Sequence, residues 1–204
     1  MSDQLLYWPL HPVPKFYGQK FGDNMACVSL DGTNKVISCN GNNPPDGYRS
    51  LYGPKGHLGI DLPIPHGTPF YIAQDGVVDF IDTNSKSGLD IRVISEVKGR
   101  KLKHIYEHLL GYQHKVGDTV FCGQVGGWCD NTGYSSGNHL HFQVEEFING
   151  TWVPIDPVSV LSNISAKDAL YFNDKIKYLK EQIAILAEQI AEYLRKNSGR
   201  TTPT

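Results

Sequence analysis

Residues 137–144, with the sequence Gly-Asn-His-Leu-His-Phe-Gln-Val, constrain this chain more than any other stretch. Apolar and polar side chains alternate strictly here, and the apolar set is Leu140, Phe142 and Val144. This alternation predicts a β-strand that buries its apolar face and turns His139 and His141 toward an open cleft. Residues two apart on a strand stand about 7 Å apart. The two rings therefore cannot share one proton, but one could bind a metal while the other acts beside it. Two exposed surface imidazoles are the alternative.

A second candidate pair lies upstream, where His57 precedes Asp61 by four residues. This spacing brings both side chains to one face of a strand or of a helix. Gly56, Gly59 and Pro63 argue against the helix. Imidazole nitrogen and carboxylate oxygen are ligands that Zn²⁺ accepts, although a hydrogen-bonded structural pair would have the same spacing.

Between these two motifs, short apolar runs separated by turns predict a β-rich domain. Residues 91–94 and 102–109 are expected to form a hairpin around Lys98-Gly99-Arg100. His104 and His108 share a face of its second strand but lie about 13 Å apart, so they cannot both reach one metal. We expect His108, at the strand end, to reach a cleft, and His104 and His114 to be surface imidazoles.

Composition narrows the class of protein. The 204 residues suffice for one sizeable core, and 21 Gly with 12 Pro favour a turn-rich β architecture. A net charge of −2 gives no reason to expect nucleic acid as a partner. No stretch reaches the roughly 20 apolar residues of a membrane span, and the N-terminus does not resemble a signal peptide. The four cysteines are expected to be free thiols, although a bridge between Cys27 and Cys39 is an alternative outside the cell.

Residues 165–196 contain no Gly or Pro and repeat apolar residues at alternating spacings of three and four. The positions are Phe172, Ile176, Leu179, Ile183, Leu186, Ile190 and Tyr193. A helix of this length extends about 45 Å, and isoleucine at a with leucine at d favours a parallel two-stranded coiled coil. A helix folded back on its own domain is the alternative. We predict an endopeptidase domain over residues 1–161, a coiled-coil-like helix over 162–197 and a disordered tail over 198–204.

Taken together, the motifs resemble the lysostaphin-like zinc endopeptidases, cell-wall enzymes of bacteria and phages with a His-x-x-x-Asp motif and a later His-x-His. The resemblance covers residues 56–144. The blocks that carry it, in family order, are residues 56–61, 67–69, 75–78, 106–109, 116–120 and 132–142.

The resemblance implies a mainly β, antiparallel fold and a role for each site residue. His57, Asp61 and His141 would bind Zn²⁺ and leave a fourth position for water, while His108 and His139 would be catalytic residues beside that water. The implied substrate is the peptide part of peptidoglycan, cut within its cross-links.

Two further expectations concern where such a chain works. Without a signal peptide, it would be made in the cytoplasm yet act on the cell wall, which suits a phage lysin or a component of a virion tail. The helix would then serve a homo-oligomer or attachment to the tail assembly. The competing interpretation is a non-catalytic wall-binding or virion structural module that kept the fold.

Overall fold

The computed structural model describes residues 4–23 and 56–197, and between them the backbone of two short strands at 27–28 and 36–37. Within these residues a short 3-10 turn spans Pro157–Ser159. The strands and the helix are β1 (Leu6–Trp8), β2 (Cys27–Val28), β3 (Val36–Ile37), β4 (Gly59–Pro63), β5 (Pro69–Tyr71), β6 (Gly76–Asn84), β7 (Gly88–Val97), β8 (Arg100–Glu107), β9 (Leu109–Tyr112), β10 (Thr119–Val120), β11 (Val125–Cys129), β12 (His139–Ile148), β13 (Thr151–Ile155), β14 (Leu161–Ser165) and α1 (Ala166–Asn197).

The largest sheet is antiparallel and runs in the order β10-β6-β7-β8-β12-β13. One edge of β12 pairs with β8, and the other is shared between β4 and β13. β12 is therefore the strand around which the sheet is built. A mainly β, antiparallel fold with one long C-terminal helix confirms the fold class predicted from the sequence.

The core lies between this sheet and a smaller one of order β5-β11-β9. Leu140, Phe142 and Val144 of β12 are fully buried, as their alternation predicted. Tyr106 joins the two sheets, because its ring centroid lies 4.7 Å from that of Phe70 on β5 and 5.3 Å from that of Phe142. Each such side chain stabilises the fold by about 1.5–3 kcal/mol through burial.

The predicted hairpin is present as β7 and β8. Its two turn residues, Lys98 and Gly99, have φ of 51° and 77°. Two successive positive φ angles are typical of the turn whose twist matches paired strands. The ladder between the two strands continues past the apolar runs as far as the pair of Val97 and Arg100 at the turn. Backbone hydrogen bonds do not need apolar side chains, so the strands are longer than the apolar runs alone indicate.

The β-domain ends four residues later than we predicted. Residues 162–165, which we expected in the helix, belong to β14, which pairs in parallel with β1. The indole of Trp8 donates to the Ser162 carbonyl at 2.8 Å. Ser165 then caps the helix, accepting from the backbone N–H of Asp168 at 3.1 Å.

Only the first turns of α1 are buried, at Ala166 and Ala169. The predicted stripe of apolar residues is exposed along its whole length, from 48% at Leu179 to 67% at Tyr193. In the described part of the chain, no helix is both long and apolar enough to cross a membrane.

Two predictions touch residues outside the described ranges. The tail at 198–204 lies outside them, and so does Cys39, so the bridge to Cys27 stays untested. Cys122 and Cys129 are free and buried.

The prediction that His104 and His114 are surface imidazoles is wrong. His114 is half buried and bonds the Val125 carbonyl at 3.0 Å. His104 is fully buried. Burial of an imidazole is tolerated when both of its nitrogens have partners, and those of His104 contact Ser95 Oγ at 2.8 Å and the Tyr106 hydroxyl at 2.7 Å.

The direction of each hydrogen bond around His104 follows from its neighbours. Ser95 donates its hydroxyl proton to the Asp75 carbonyl at 2.6 Å, so Nε2–H of His104 donates to Ser95. The Tyr106 hydroxyl accepts from the Ala73 N–H at 2.9 Å and donates to Nδ1 of His104. The network is thus satisfied with a neutral imidazole.

We expect His104 to make folding stability depend on pH. Burial lowers the pKa of His104 to about 3, below the value of about 6.5 in the unfolded chain. The unfolded state therefore binds the proton first, and stability is lost as pH falls from about 6.5 toward 3. Between pH 7 and pH 5 the wild type should lose about 2 kcal/mol more than His104→Gln in urea unfolding.

Ser95→Ala is the control for this prediction. It removes a partner of His104 but keeps the titrating ring, so its overall stability should fall while the steep pH dependence remains. Parallel pH profiles for the wild type and His104→Gln would contradict the assignment.

Candidate metal centre and active site

Three electron-pair donors meet at one point, two from the segment at 57–61 and one from β12, about 80 residues later. Nε2 of His57 lies 3.1 Å from Oδ1 of Asp61 and 3.0 Å from Nδ1 of His141. Nδ1 of His141 lies 2.9 Å from the same carboxylate oxygen. The pairing of β4 with β12 sets this arrangement, because Asp61 and His141 are directly opposite in the ladder.

Too few protons are available to join these three donors. Nδ1–H of His57 donates a hydrogen bond to the Lys20 carbonyl at 3.1 Å, so Nε2 of the neutral ring carries the lone pair. The Asp61 carboxylate can only accept. A cation at the point where the atoms meet satisfies all three, and two imidazoles with one carboxylate fit Zn²⁺.

The electrostatics agree with a cation at this point. Burial opposes the charge of Asp61, but the neighbouring imidazoles of His139, His141 and His57 outweigh burial and hold the pKa of Asp61 far below the usual range. Burial also opposes the charge of His141, but Glu107 on β8 and Asp61 raise its pKa above the ordinary value. The cluster of Asp61 with His57, His139 and His141 therefore favours added positive charge.

An open cavity of about 520 Å³ reaches Asp61 and His141 from one side. Its walls also carry His108, His139 and residues of the loop before β12, among them Tyr134 and Ser135. His57 is only 1% exposed and does not line the cavity, so the cavity reaches the cluster through Asp61 and His141. A catalytic zinc site needs such an open side for water and substrate, whereas a structural site is closed by protein ligands.

His108 occupies the break between β8 and β9 with φ of 64°. Its backbone N–H donates to the Ser87 carbonyl at 2.9 Å, and its carbonyl accepts from Asp130. Nδ1–H donates to the Thr132 carbonyl at 2.7 Å, so Nε2 carries the lone pair. Burial, reinforced by the neighbouring His139, lowers its pKa to about 4, which keeps the ring neutral at pH 7.

His139 sits beside His108, with 4.7 Å between the ring centroids. Its Nδ1 contacts the Gly137 carbonyl at 2.8 Å, and its Nε2 lies 3.5 Å from Oδ1 of Asp61. Burial disfavours its charge, but the Asp61 carboxylate more than compensates and raises its pKa. Two adjacent imidazoles thus have pKa values moved in opposite directions.

The sequence of this chain is similar to a known peptidase family. The sequence profile of Peptidase family M23 matches residues 55–157. The protein belongs to peptidase family M23. Members of family M23 are zinc metallopeptidases, in agreement with the donor set of His57, Asp61 and His141.

Relatives of this M23 protein include peptidases of two bacteria. It is 37% identical over 120 residues to the glycyl-glycine endopeptidase ALE-1 of Staphylococcus capitis, covering 54% of this chain and 32% of ALE-1. It is 36% identical over 119 residues to the DD-carboxypeptidase/endopeptidase Mpg of Neisseria meningitidis serogroup B, covering 57% and 26%. The chain thus spans about a quarter to a third of the length of these curated relatives.

The fold is also similar to the solution structure of lysostaphin. The TM-score is 0.51 at 26% identity, over 82% of this M23 chain and 59% of lysostaphin.

Four of the five side chains singled out from the sequence line this cavity: Asp61, His108, His139 and His141. The fifth, His57, meets Asp61 and His141 in the buried part of the cluster. His104 and His114 do not join them. Sequence reasoning missed the backbone groups that position the side chains of the site. Gln19 and Lys20 are examples, because their carbonyls accept from Asp61 N–H at 2.9 Å and from the His57 ring. Every residue has a carbonyl, so no residue type reveals this role.

Gly59 is needed for the ring of His141 to fit. A Cβ at this position would lie 2.5 Å from the Phe142 carbonyl oxygen and 2.8 Å from Nε2 of His141. We expect Gly59→Ala to displace the imidazole and weaken Zn²⁺ binding by at least tenfold, measured by competition with a chromophoric chelator.

Gly137→Ala is the matched control, because a Cβ there meets nothing within 4 Å although Gly137 lines a neighbouring cavity together with Asp61 and His139. Its Zn²⁺ affinity should equal that of the wild type. Equal affinity in Gly59→Ala would show that the ring position does not limit metal binding.

Proposed function

We propose that this chain is a zinc-dependent endopeptidase that hydrolyses peptide bonds in bacterial peptidoglycan cross-links. The observation that carries the proposal is the meeting of His57, Asp61 and His141 at the wall of an open cavity that two further imidazoles, His108 and His139, also line. The relatives support it, because one is a glycyl-glycine endopeptidase and another a DD-carboxypeptidase/endopeptidase.

Zn²⁺, when bound, supplies two effects: it lowers the pKa of water to about 7 and polarises a carbonyl oxygen. His57, Asp61 and His141 would hold it, with the negative charge of Asp61 offsetting part of the cationic charge. The cavity side would be left for water and for the scissile peptide.

His139 and His108 would act on the attacking water. Each fixes its Nδ1–H on a backbone carbonyl and turns the lone pair of Nε2 to the cavity, so each can accept a proton there. His139 is nearer to Asp61 and would take the proton of the attacking water. His139 would then pass that same proton to the leaving amine, so no second proton source is needed. His108, neutral at pH 7, would accept a hydrogen bond from the attacking water through Nε2 and orient it.

His108→Ala and His139→Ala should each lose peptide hydrolysis by 10²-fold or more while keeping Zn²⁺. Neither ring belongs to the three-donor cluster, so metal content measured by atomic absorption should match the wild type. Asp61→Ala is the opposite case and should lose both metal and turnover. Near-normal turnover in His108→Ala or His139→Ala would contradict their assignment as catalytic residues.

Purified cell-wall sacculi provide the direct test of the activity. Digestion should release new amino termini, stop when a chelator removes the metal and resume when Zn²⁺ is restored. Identifying the termini would distinguish a cut within a glycine bridge from one between D-alanine and a diamino acid. Binding to sacculi without new termini would instead support a non-catalytic wall-binding module.

We also propose that α1 pairs with α1 of a second copy. Ile176, Ile183 and Ile190 lie at a, and Leu179 and Leu186 at d, the choice that favours two parallel strands. The seven half-exposed side chains of the stripe expose on the order of 700 Å² of accessible surface on each helix. This area is close to the roughly 800 Å² that each partner buries in a standard interface. Lys175 and Lys180 fall at g and e, the positions that face each other across a parallel pair. Their like charges would repel, so salt, which screens this repulsion, should strengthen the pairing.

A substitution at the centre of the stripe tests this pairing. Ile183→Asp places a charge at position a and should convert a dimer to a monomer in light scattering. Ile185→Asp is the matched control, since Ile185 is 50% exposed but lies at position c, away from the stripe. Equal masses for the wild type and Ile183→Asp would argue against pairing through this face.

Finally, we propose that the protein acts at the cell wall as a phage-encoded lysin or as a component of a virion tail. An exposed helix that offers an apolar stripe for assembly supports this proposal. Detection of the chain in purified phage particles would support the tail role, whereas release only at host lysis would favour the lysin.

A further inference from the structure

His141 differs from the other three imidazoles of the site in how its ring is held. His57, His108 and His139 each use a backbone carbonyl as the partner of Nδ1 and present Nε2 to the site. His141 is reversed, because its Nδ1 faces Asp61. Its remaining nitrogen, Nε2, lies over Gly59, where it would be 2.8 Å from an added Cβ, and Gly59 is the residue opposite Gln143 in the ladder. Gln143 is therefore the neighbouring polar side chain on β12 that is placed to meet Nε2.

Gln143 is in turn oriented by a carboxylate. Its Nε2 donates to Oε1 of Glu145 at 2.9 Å. Residues 141, 143 and 145 share one face of β12, since neighbouring side chains on a strand point to opposite faces. Gln143 is 7% exposed, and the side chain of Glu145 is 18% exposed, with Nζ of Lys103 3.9 Å from its Oε2.

The chemistry of these groups permits one arrangement. A carboxylate only accepts hydrogen bonds, so Glu145 requires the amide nitrogen of Gln143 to face it. The amide oxygen of Gln143 then faces the ring, and an oxygen that only accepts requires a proton on Nε2 of His141. The neutral ring consequently has its lone pair on Nδ1, at the point shared with Asp61 and His57.

We propose that Gln143 and Glu145 are positioning residues that fix His141 in its Nε2–H tautomer and thereby set the metal affinity of the site. The inference rests on the metal-binding role proposed above for His141. Neither residue contacts substrate or metal in this assignment; both act through the ring.

The test measures Zn²⁺ affinity of the full-length protein by chelator competition. Gln143→Leu removes the acceptor and should weaken binding ten- to a hundredfold. Glu145→Gln no longer dictates the amide orientation and should cause a smaller loss. The double variant Gln143→Glu with Glu145→Gln rebuilds an acceptor facing the ring and a donor behind it, so it should recover most of the affinity lost in Gln143→Leu.

Glu146→Gln is the matched control. It also removes one carboxylate from β12, but Glu146 points to the other side and pairs with Arg100 at 2.7 Å. Its Zn²⁺ affinity should stay within twofold of the wild type.

Ring nitrogen NMR spectra of the Zn²⁺-loaded protein provide a readout that a general loss of stability would not move. In the wild type, His141 should show a proton on Nε2 and metal on Nδ1, and Gln143→Leu should broaden or shift the Nε2 signal. A wild type that binds no Zn²⁺ would overturn the metal site itself. A wild type that binds Zn²⁺ while Gln143→Leu binds it equally would overturn only the relay.

Discussion

The pairing of β4 with β12 is the contact on which the site depends. It sets Asp61 opposite His141 and Gly59 opposite Gln143. A slip of one residue would turn every side chain of β4 to the other face of the sheet. The buried partners on the reverse face, Leu62 and Leu140, make that slip costly. The same apolar packing that stabilises the fold therefore fixes the register of the polar groups.

Backbone carbonyls then determine the chemistry of the imidazoles. Those of Lys20 and Thr132 hold Nδ1–H of His57 and His108, so the unprotonated nitrogen faces the site without any polar side chain behind it. A carbonyl in a hydrogen-bonded loop is rigid, and its direction does not change with pH. Gln143 and Glu145 are the exception that we propose, since the ring of His141 would be oriented by side chains.

The sequence predicted the position of a site residue where that residue lay within a regular alternation or spacing of side chains. The period of β12 placed His139 and His141 on one face, and the four-residue spacing brought His57 near Asp61. The period wrongly put His104 and His108 on one face, because the positive φ of His108 ends the alternation of β8. His108 lines the cavity, as expected of a strand end, whereas His104 lies in the core. The burial of His104 depended on Ser95, a partner nine residues away on the paired strand.

The end of the β-domain was misplaced for a related physical reason. Residues 162–165 have no strong apolar pattern, and their strand exists because β1, more than 150 residues earlier in the chain, pairs with it. The helix that follows has the opposite character. Its pattern is local and clear in the sequence, yet only Ala166 and Ala169 are buried by the domain. Because helices in proteins gain most of their stability from the packing of an apolar face, the exposed stripe of α1 is where a partner would add most to its stability.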